Sequence, residues 1–471
     1  MSGLFASIQA TAKALTAQSR GLETAGKNLA NVNNPAYSRE RVVLGDRGSI
    51  VTPQGVESMG VEALSIEQLR DTLLDGQVMR AISQSAAATA EQSGLQDAQA
   101  ALSQDIERTS SAADNTQAGN KGVIGAVDDF FNAFSSFASN PTDIGERENL
   151  MQKAATLVDR LRLTDSRLAT VQSDLDANIA NGVTGANSLL SSIAALNRQI
   201  AESEIGNPGI ALDLRDQRQA KIEELSKILP VELRNGTGGQ INIVALDGSG
   251  NDVPLLTNGT LQGTVAFNGT AITAGTSATT LALASGSIKG ALTARDVGVQ
   301  EIRDSLDALT AQIVSSVNAA YNPTSISGGN FFVAAGSAAS SVAITSTITS
   351  TNVRASNTSD AGDNTLALAV AALATHRFST SGGDSIDGTY TSSFAQGVSR
   401  LGHELADANS TVDSQAGIEK LVRSKRDNVS GVSLDEEMAD LMKFQRAFQA
   451  SSRVFNIMDE LLDNIVNQLG R

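Results

Sequence analysis

Histidine is scarce and cysteine absent in this 471-residue chain, and its 51 Asp and Glu residues are not spaced as in an active site. Cysteine is absent, which removes disulfides, thiolate metal sites and cysteine nucleophiles together. The two histidines, His376 and His403, stand in no His-x-x-x-His arrangement, so each reads as solvated or packed rather than as a ligand or base. The densest acidic run, Asp435-Glu436-Glu437, falls in the first turn of a predicted helix, where negative charge complements the helix dipole. Asp213-Leu214-Arg215-Asp216-Gln217-Arg218 reads as the salt-bridged face of another helix. No glycine-rich phosphate loop follows a strand, and no G-x-S-x-G elbow is present. The expectation is a protein that is not an enzyme, with no catalytic, metal-binding or cofactor-binding residue.

What the sequence does specify is two sticky helices. From Gly431 onward, Leu434, Leu441, Phe448, Phe455, Leu462 and Leu469 recur at a constant heptad interval. Met438, Phe444, Met458, Ile465 and Val466 widen that line into an apolar seam. Ser433 as N-cap with Glu436 three residues on forms a capping box, and Gly470 closes the helix. Near the other terminus, Ile8, Leu15, Leu22 and Leu29 keep the same interval. Asn31, Asn33 and Asn34 before Pro35 supply the stop, since Asn tolerates a left-handed cap and the residue before proline is pushed out of the α region. Two amphipathic helices thus bracket the chain, and the economical reading is that they pack on each other, on other copies, or both.

Composition narrows the partners. The formal net charge of −16 opposes nucleic acid and anionic lipid, and no Lys/Arg run offsets it locally. The opening residues lack the pattern of a cleaved signal, and no apolar stretch approaches the ~20 residues of a membrane span. With aromatic residues at 3%, the cores must be mostly Ala, Leu, Val and Ile, as in long helical bundles.

The expected class is mainly α with a β-rich insertion (α+β): terminal helices paired in a coiled-coil-like layer, a long-helix bundle, and a small antiparallel β domain at the tip. In order, 1–35 is the N-terminal helix and 36–229 the first helical part, opening with an extended linker or hairpin over 36–61. Within it, helix is expected over 65–108, with Ile66, Leu69, Leu73, Ile82, Leu95, Leu102 and Ile106 buried; Ala86 to Ala90 is too small-chained to show a face. Gly119 to Gly122 breaks the pattern, and the Val123, Val127, Phe130, Phe134, Phe137 stripe reads as core. A long heptad helix begins near Glu146 and is interrupted at Gly182 and Gly185; Asn207-Pro208-Gly209 forms a turn before a helix over 210–229. Over 230–287, Asn235-Gly236, Asn258-Gly259 and Asn268-Gly269 predict type I′ hairpin turns around a strand at 240–244. A helix returns over 288–323, a Ser/Thr/Gly-rich and possibly β segment fills 324–390, and helices follow over 391–430 and 431–471.

At both ends the residues resemble a known group. GKNLANVNNPAYSRERV, Gly26 to Val42, is similar to the Asn-Leu-Ala-Asn-x-x-Thr-Pro-Gly-Tyr pattern of the axial proteins of the bacterial flagellum, the rod, hook and hook-associated proteins. Asn28, Leu29, Asn31, Pro35 and Tyr37 match; Asn34 stands where Thr is common and Ala36 where Gly is common. At the other end Gly431, Val432, Leu434, Asp435, Glu436 and Glu437, followed by Phe444-Gln445, resemble the hook-associated members. Segments 128–161, 211–229 and 286–296 resemble them in the same order.

The resemblance implies a structural adaptor that assembles on the distal hook, at the hook–filament junction outside the cell, and allows the filament to grow. It implies terminal helices that are disordered in the exported monomer and form an inner coiled-coil tube on assembly, with Ile8, Leu15, Leu22, Leu29, Leu434, Leu441, Phe448, Phe455, Leu462 and Leu469 as the assembly interface. It also implies type III export without a cleaved signal peptide, where the signal tests alone would point to the cytoplasm. Expected partners are other copies of the chain, the hook protein, the second junction protein, and an export chaperone on the C-terminal helix. Two rival readings are another axial protein of the hook or rod, and a surface adhesin or antigen whose β tip binds a host.

Overall fold

Long runs of helix-forming residues give long helices here, because once a helix is nucleated each further residue adds a hydrogen bond. The structure, a computed structural model, describes residues 2–46, 48–52, 55–58, 60–103, 122–336, 338–358 and 363–468. The chain divides into two compact units, Met1–Ser85 with Val183–Gly286 and Gln415–Arg471, and Ala86–Gly182 with Ser287–Ser414.

In the first unit, α1 (Ser2–Ala30) leads into β1 (Glu40–Asp46), β2 (Ser49–Thr52), β3 (Gly55–Ser58) and β4 (Val61–Gln68). β1 and β4 pair antiparallel with Val42 opposite Ile66 and a bulge after Val43, and β2 pairs with β3. The unit also takes the start of α2 (Thr72–Ser103), the end of α4 (Ile144–Ser203) and α5 (Leu212–Ile228). Next come β5 (Glu232–Asn235), β6 (Ile241–Leu246), β7 (Asp252–Thr257) and β8 (Thr260–Leu261), an antiparallel sheet in that order. β9 (Ala266–Phe267), β10 (Ile272–Ala274) and β11 (Thr279–Thr280) form a second sheet. The last part of α10 (Tyr390–Ser430) and α11 (Leu434–Gln468) complete the unit.

The second unit is built on α3 (Val123–Ser139), whose phenylalanines Phe130, Phe134 and Phe137 are fully buried. Phe130 meets Phe134 edge-on at 5.1 Å, and Phe131 stacks on Tyr390 at 5.2 Å. Phe331 and Phe332 join them from β12 (Phe332–Val333) and the residue before it. α6 (Ser287–Thr293), a π-helical turn (Ala294–Val299) and α7 (Gln300–Tyr321) run on without a break. A Cβ on Gly290 would lie 2.0 Å from the Ala87 carbonyl oxygen, so the small residues of 86–90 mark a backbone-to-backbone crossing.

Several expectations change. Ser65 to Gln68 is strand, so Ile66 and Leu69 precede α2, and Leu73 in its first turn is 65% exposed. Gly182 and Gly185 interrupt nothing: α4 runs for 60 residues, since a helical glycine costs only about 1 kcal/mol and the neighbouring Val183 and Ala186 are buried. Of the three Asn-Gly pairs, only Asn258-Gly259 makes the two-residue turn, with φ of 46° and 73° between β7 and β8; the other two sit in longer connections. None of Asn31, Asn33 and Asn34 adopts a left-handed φ; instead the Asn31 amide donates to the Lys27 carbonyl at 2.9 Å and closes α1. The 324–390 segment holds two short strands, β12 and β13 (Ala343–Ile344), but also α8 (Ala338–Ser341) and α9 (Thr365–Ala372). Ile106, Gly119, Leu469 and Gly470 lie outside the described residues. No described helix is long and apolar enough to cross a membrane.

Candidate functional site: the paired chain ends

The two sticky helices pack along each other within one chain. On α1 the covered line is small: Ala17, Gly21, Thr24 and Asn28, spaced four, three and four, are all buried. Small residues let a helix axis come close, and a Cβ on Gly21 would lie 2.6 Å from the Phe444 ring of α11. Ile8, Leu15, Leu22 and Leu29 flank this line and are half-buried. On α11, Leu441, Phe444, Phe455, Met458, Leu462 and Ile465 are likewise half-buried, and the Thr11 hydroxyl reaches Met458 Sδ at 3.9 Å. Leu434, Met438, Phe448, Val454, Ile457 and Leu461 are exposed, Phe448 by 37% and Ile457 by 57%. The predicted heptad line is therefore split, partly against α1 and partly open.

Below this apolar contact the two terminal motifs meet in one polar cluster. Asn28, only 1% exposed, is saturated: its Oδ1 accepts from the Tyr37 hydroxyl at 2.7 Å and the Glu40 N–H at 3.0 Å. Its Nδ2 donates to the Glu40 carbonyl at 2.8 Å and to Glu437 Oε2 at 3.0 Å. Arg39 clamps the acidic first turn of α11, reaching Glu437 and Glu436 at 2.6 Å each and Asp440 at 3.6 Å. Its backbone N–H donates to the Ser430 carbonyl at 2.8 Å. Burial, reinforced by Glu40, raises the Tyr37 phenol well above its ordinary value, so the hydroxyl stays protonated and donates.

A second layer ties this cluster to α5. Lys27 bridges Glu40 at 2.8 Å and Asp213 at 2.7 Å. Burial opposes its charge, yet those two carboxylates outweigh it and raise the ammonium above its usual range. Arg70 holds Asp216 at 2.8 Å and the Ser38 hydroxyl at 2.9 Å, while Ser38 N–H donates to Asp216. Burial nevertheless pushes the Asp216 carboxyl up to about 6. Arg426 of α10 binds Glu223 at 2.5 Å and the Pro35 carbonyl at 3.3 Å.

The remaining motif residues fall around this cluster. Asn31 and Leu29 are half-buried and Pro35 exposed; Gly431 and Val432 are half-buried, Asp435 and Gln445 exposed. Ser433 directly precedes α11, and its carbonyl accepts from Glu437 N–H at 3.0 Å, while the Glu436 carboxylate is turned to Arg39. His376 lies exposed against Phe378 and His403 is exposed. Sequence reasoning missed Arg39, Glu40, Arg70, Arg426 and Glu223, which sit in segments read as linker or simply as helix. Asp216 was read as part of a salt-bridged helix face; it does pair with Arg70, but from a buried position.

Residues 110–332 match the family described as the flagellar hook-associated protein FlgK helical domain, and residues 423–469 match the C-terminal domain of the flagellar basal body rod FlgEFG proteins. Flagellar hook-associated protein 1 of Bacillus subtilis is 27% identical over all of this chain and 99% of its own length. Along its whole length the chain is similar to the flagellar hook-associated protein 1 family. The Escherichia coli member is 23% identical and the Salmonella typhimurium member 22%, each over 96% of this chain and 98% of its own length. A solved hook junction protein from Burkholderia pseudomallei is 21% identical over 55% of this chain and 47% of that one, with a TM-score of 0.45. The family is structural and not enzymatic, a component of the flagellar hook–filament junction outside the cell.

Proposed function

We propose that this chain forms a layer of subunits on the distal hook, and that α1 and α11 are the parts that enter the axial polymer. The observation that supports this most directly is the uncovered half of the seam. Leu434, Met438 and Phe448 remain exposed at the edge of the α1 contact, and Val454, Ile457 and Leu461 on the far side of α11. Large apolar side chains left exposed along one helix invite a partner. Other copies of the chain supply that partner in head-to-tail packing, a heterologous contact suited to a helical tube. The hook protein lies on one side of the layer and the second junction protein on the other; before assembly a chaperone covers α11. The Arg39–Glu437–Asn28 cluster fixes the register of α11 on α1, so the exposed seam is presented at a defined angle.

Electron microscopy of cells lacking the gene tests the role. Hooks without filaments, with unassembled filament subunits in the medium and rescue by the intact gene, are expected. Absent hooks would place the protein inward, in the hook or rod, and normal filaments would contradict the proposal.

A further inference from the structure

The first unit carries a groove of about 1680 Å³ walled by β4, the start of α2, α5 and the β5–β6 edge. Most charges that line it are matched: Glu40 and Asp213 by Lys27, Asp75 by Arg70, and Glu232 by Arg234. Three lining cations, Arg20, Arg80 and Arg218, have no carboxylate within ion-pair reach among the described residues. Arg20 and Arg80 are exposed, where water compensates them at little cost. Arg218 is only 7% exposed.

Arg218 Nη1 donates to Asn197 Oδ1 at 2.8 Å and to the Gly239 carbonyl at 2.9 Å, both neutral acceptors. Glu204, whose charge acts on Arg218, is already held by Arg215 through two bonds at 2.9 and 2.8 Å. Burial, and then the charges of Arg215 and Arg70, pull the guanidinium down to about 10. As a strut for the turn over 236–240, Arg218 needs only Nη1, and a neutral amide could serve. The buried charge and the remaining donors stay unused, and a buried ion without a counter-ion is costly.

We infer that the floor of this groove is an oxyanion site, in which the free fork of Arg218, beside Arg215, takes one carboxylate or one tetrahedral oxyanion. A planar guanidinium matches such groups through paired hydrogen bonds. The ligand has two sources: an acidic side chain of a second copy, on a chain of net charge −16, or a free inorganic oxyanion.

Crystals of the full chain grown without oxyanions and soaked in sodium selenate should show a selenium peak within hydrogen-bond distance of Arg218, displaced by excess acetate. A groove without that peak overturns the inference, whatever any variant does. In solution, sodium sulfate should raise the Tm more than sodium chloride at equal ionic strength, with the excess lost in Arg218→Gln and kept in Arg80→Gln. An equal response in all three proteins also overturns it. The source arm rests on the proposed assembly role: sulfate that inhibits addition of the chain to purified hooks identifies a neighbour's carboxylate, and undisturbed addition with sulfate bound identifies a free oxyanion.

Discussion

Arg39 shows how much one side chain can decide in the cluster that joins the chain ends. It is the cation facing Glu437, whose carboxylate is 3% exposed, and it also holds Glu436 and Asp440. Removing one partner of a buried pair costs about 3–5 kcal/mol, more than the pair contributes, because the other charge is left buried. Arg39→Ala should therefore lower the Tm and expose α11 to protease, and adding Glu437→Gln should restore part of the loss. A single variant as stable as the parent would show the pair to be ornamental. Asp216 gives a prediction of opposite sense. Its folded pKa of about 6 lies above the ordinary 3.8, so the folded chain holds the proton more tightly. The stability this contributes is full below about pH 4 and is lost as pH rises through 6, up to about 3 kcal/mol. The Tm of the parent relative to Asp216→Asn should fall between pH 4 and pH 7, and a pH-independent difference would refute it.

Among the elements, α6 separates propensity from packing. Gly290→Ala would gain about 1 kcal/mol of helix propensity in isolation. Its new Cβ would, however, stand 2.0 Å from the Ala87 carbonyl oxygen and 2.9 Å from Ala90 Cβ, and backbone cannot move aside as a side chain can. Overpacking of this kind costs about 1–3 kcal/mol, so the Tm should drop; a rise would mean that the two helices have room to part. The same position shows what was legible in the sequence. Stretches with large apolar residues at heptad spacing were read correctly as helix: the α3 phenylalanine stripe, the start of α4 near Glu146, and the terminal helices. Stretches whose packing depends on the absence of side chains, such as 86–90 or Gly21, carry no periodic signal. Nor do ion pairs between residues more than a hundred positions apart, as with Arg39 and Glu437 or Arg70 and Asp216. The acidic turn at 435–437 was read through the helix dipole alone, because its cation lies on a segment that looked like linker.

For the whole molecule, a chain with net charge −16 keeps a half-covered apolar seam at its two joined ends. Charge favours solubility of the free subunit, and in the proposed role the seam favours addition to a growing polymer. The central claim is that this seam carries incorporation at the hook, and Phe448 lies at its centre. The most direct measurement is electron microscopy of cells whose only copy of the gene carries Phe448→Asp, alongside circular dichroism of the purified variant. A buried, unpaired carboxylate is expensive enough to block the contact, so the account predicts a folded protein, bare hooks and shed filament subunits. Filaments of normal number and length on that variant would contradict it.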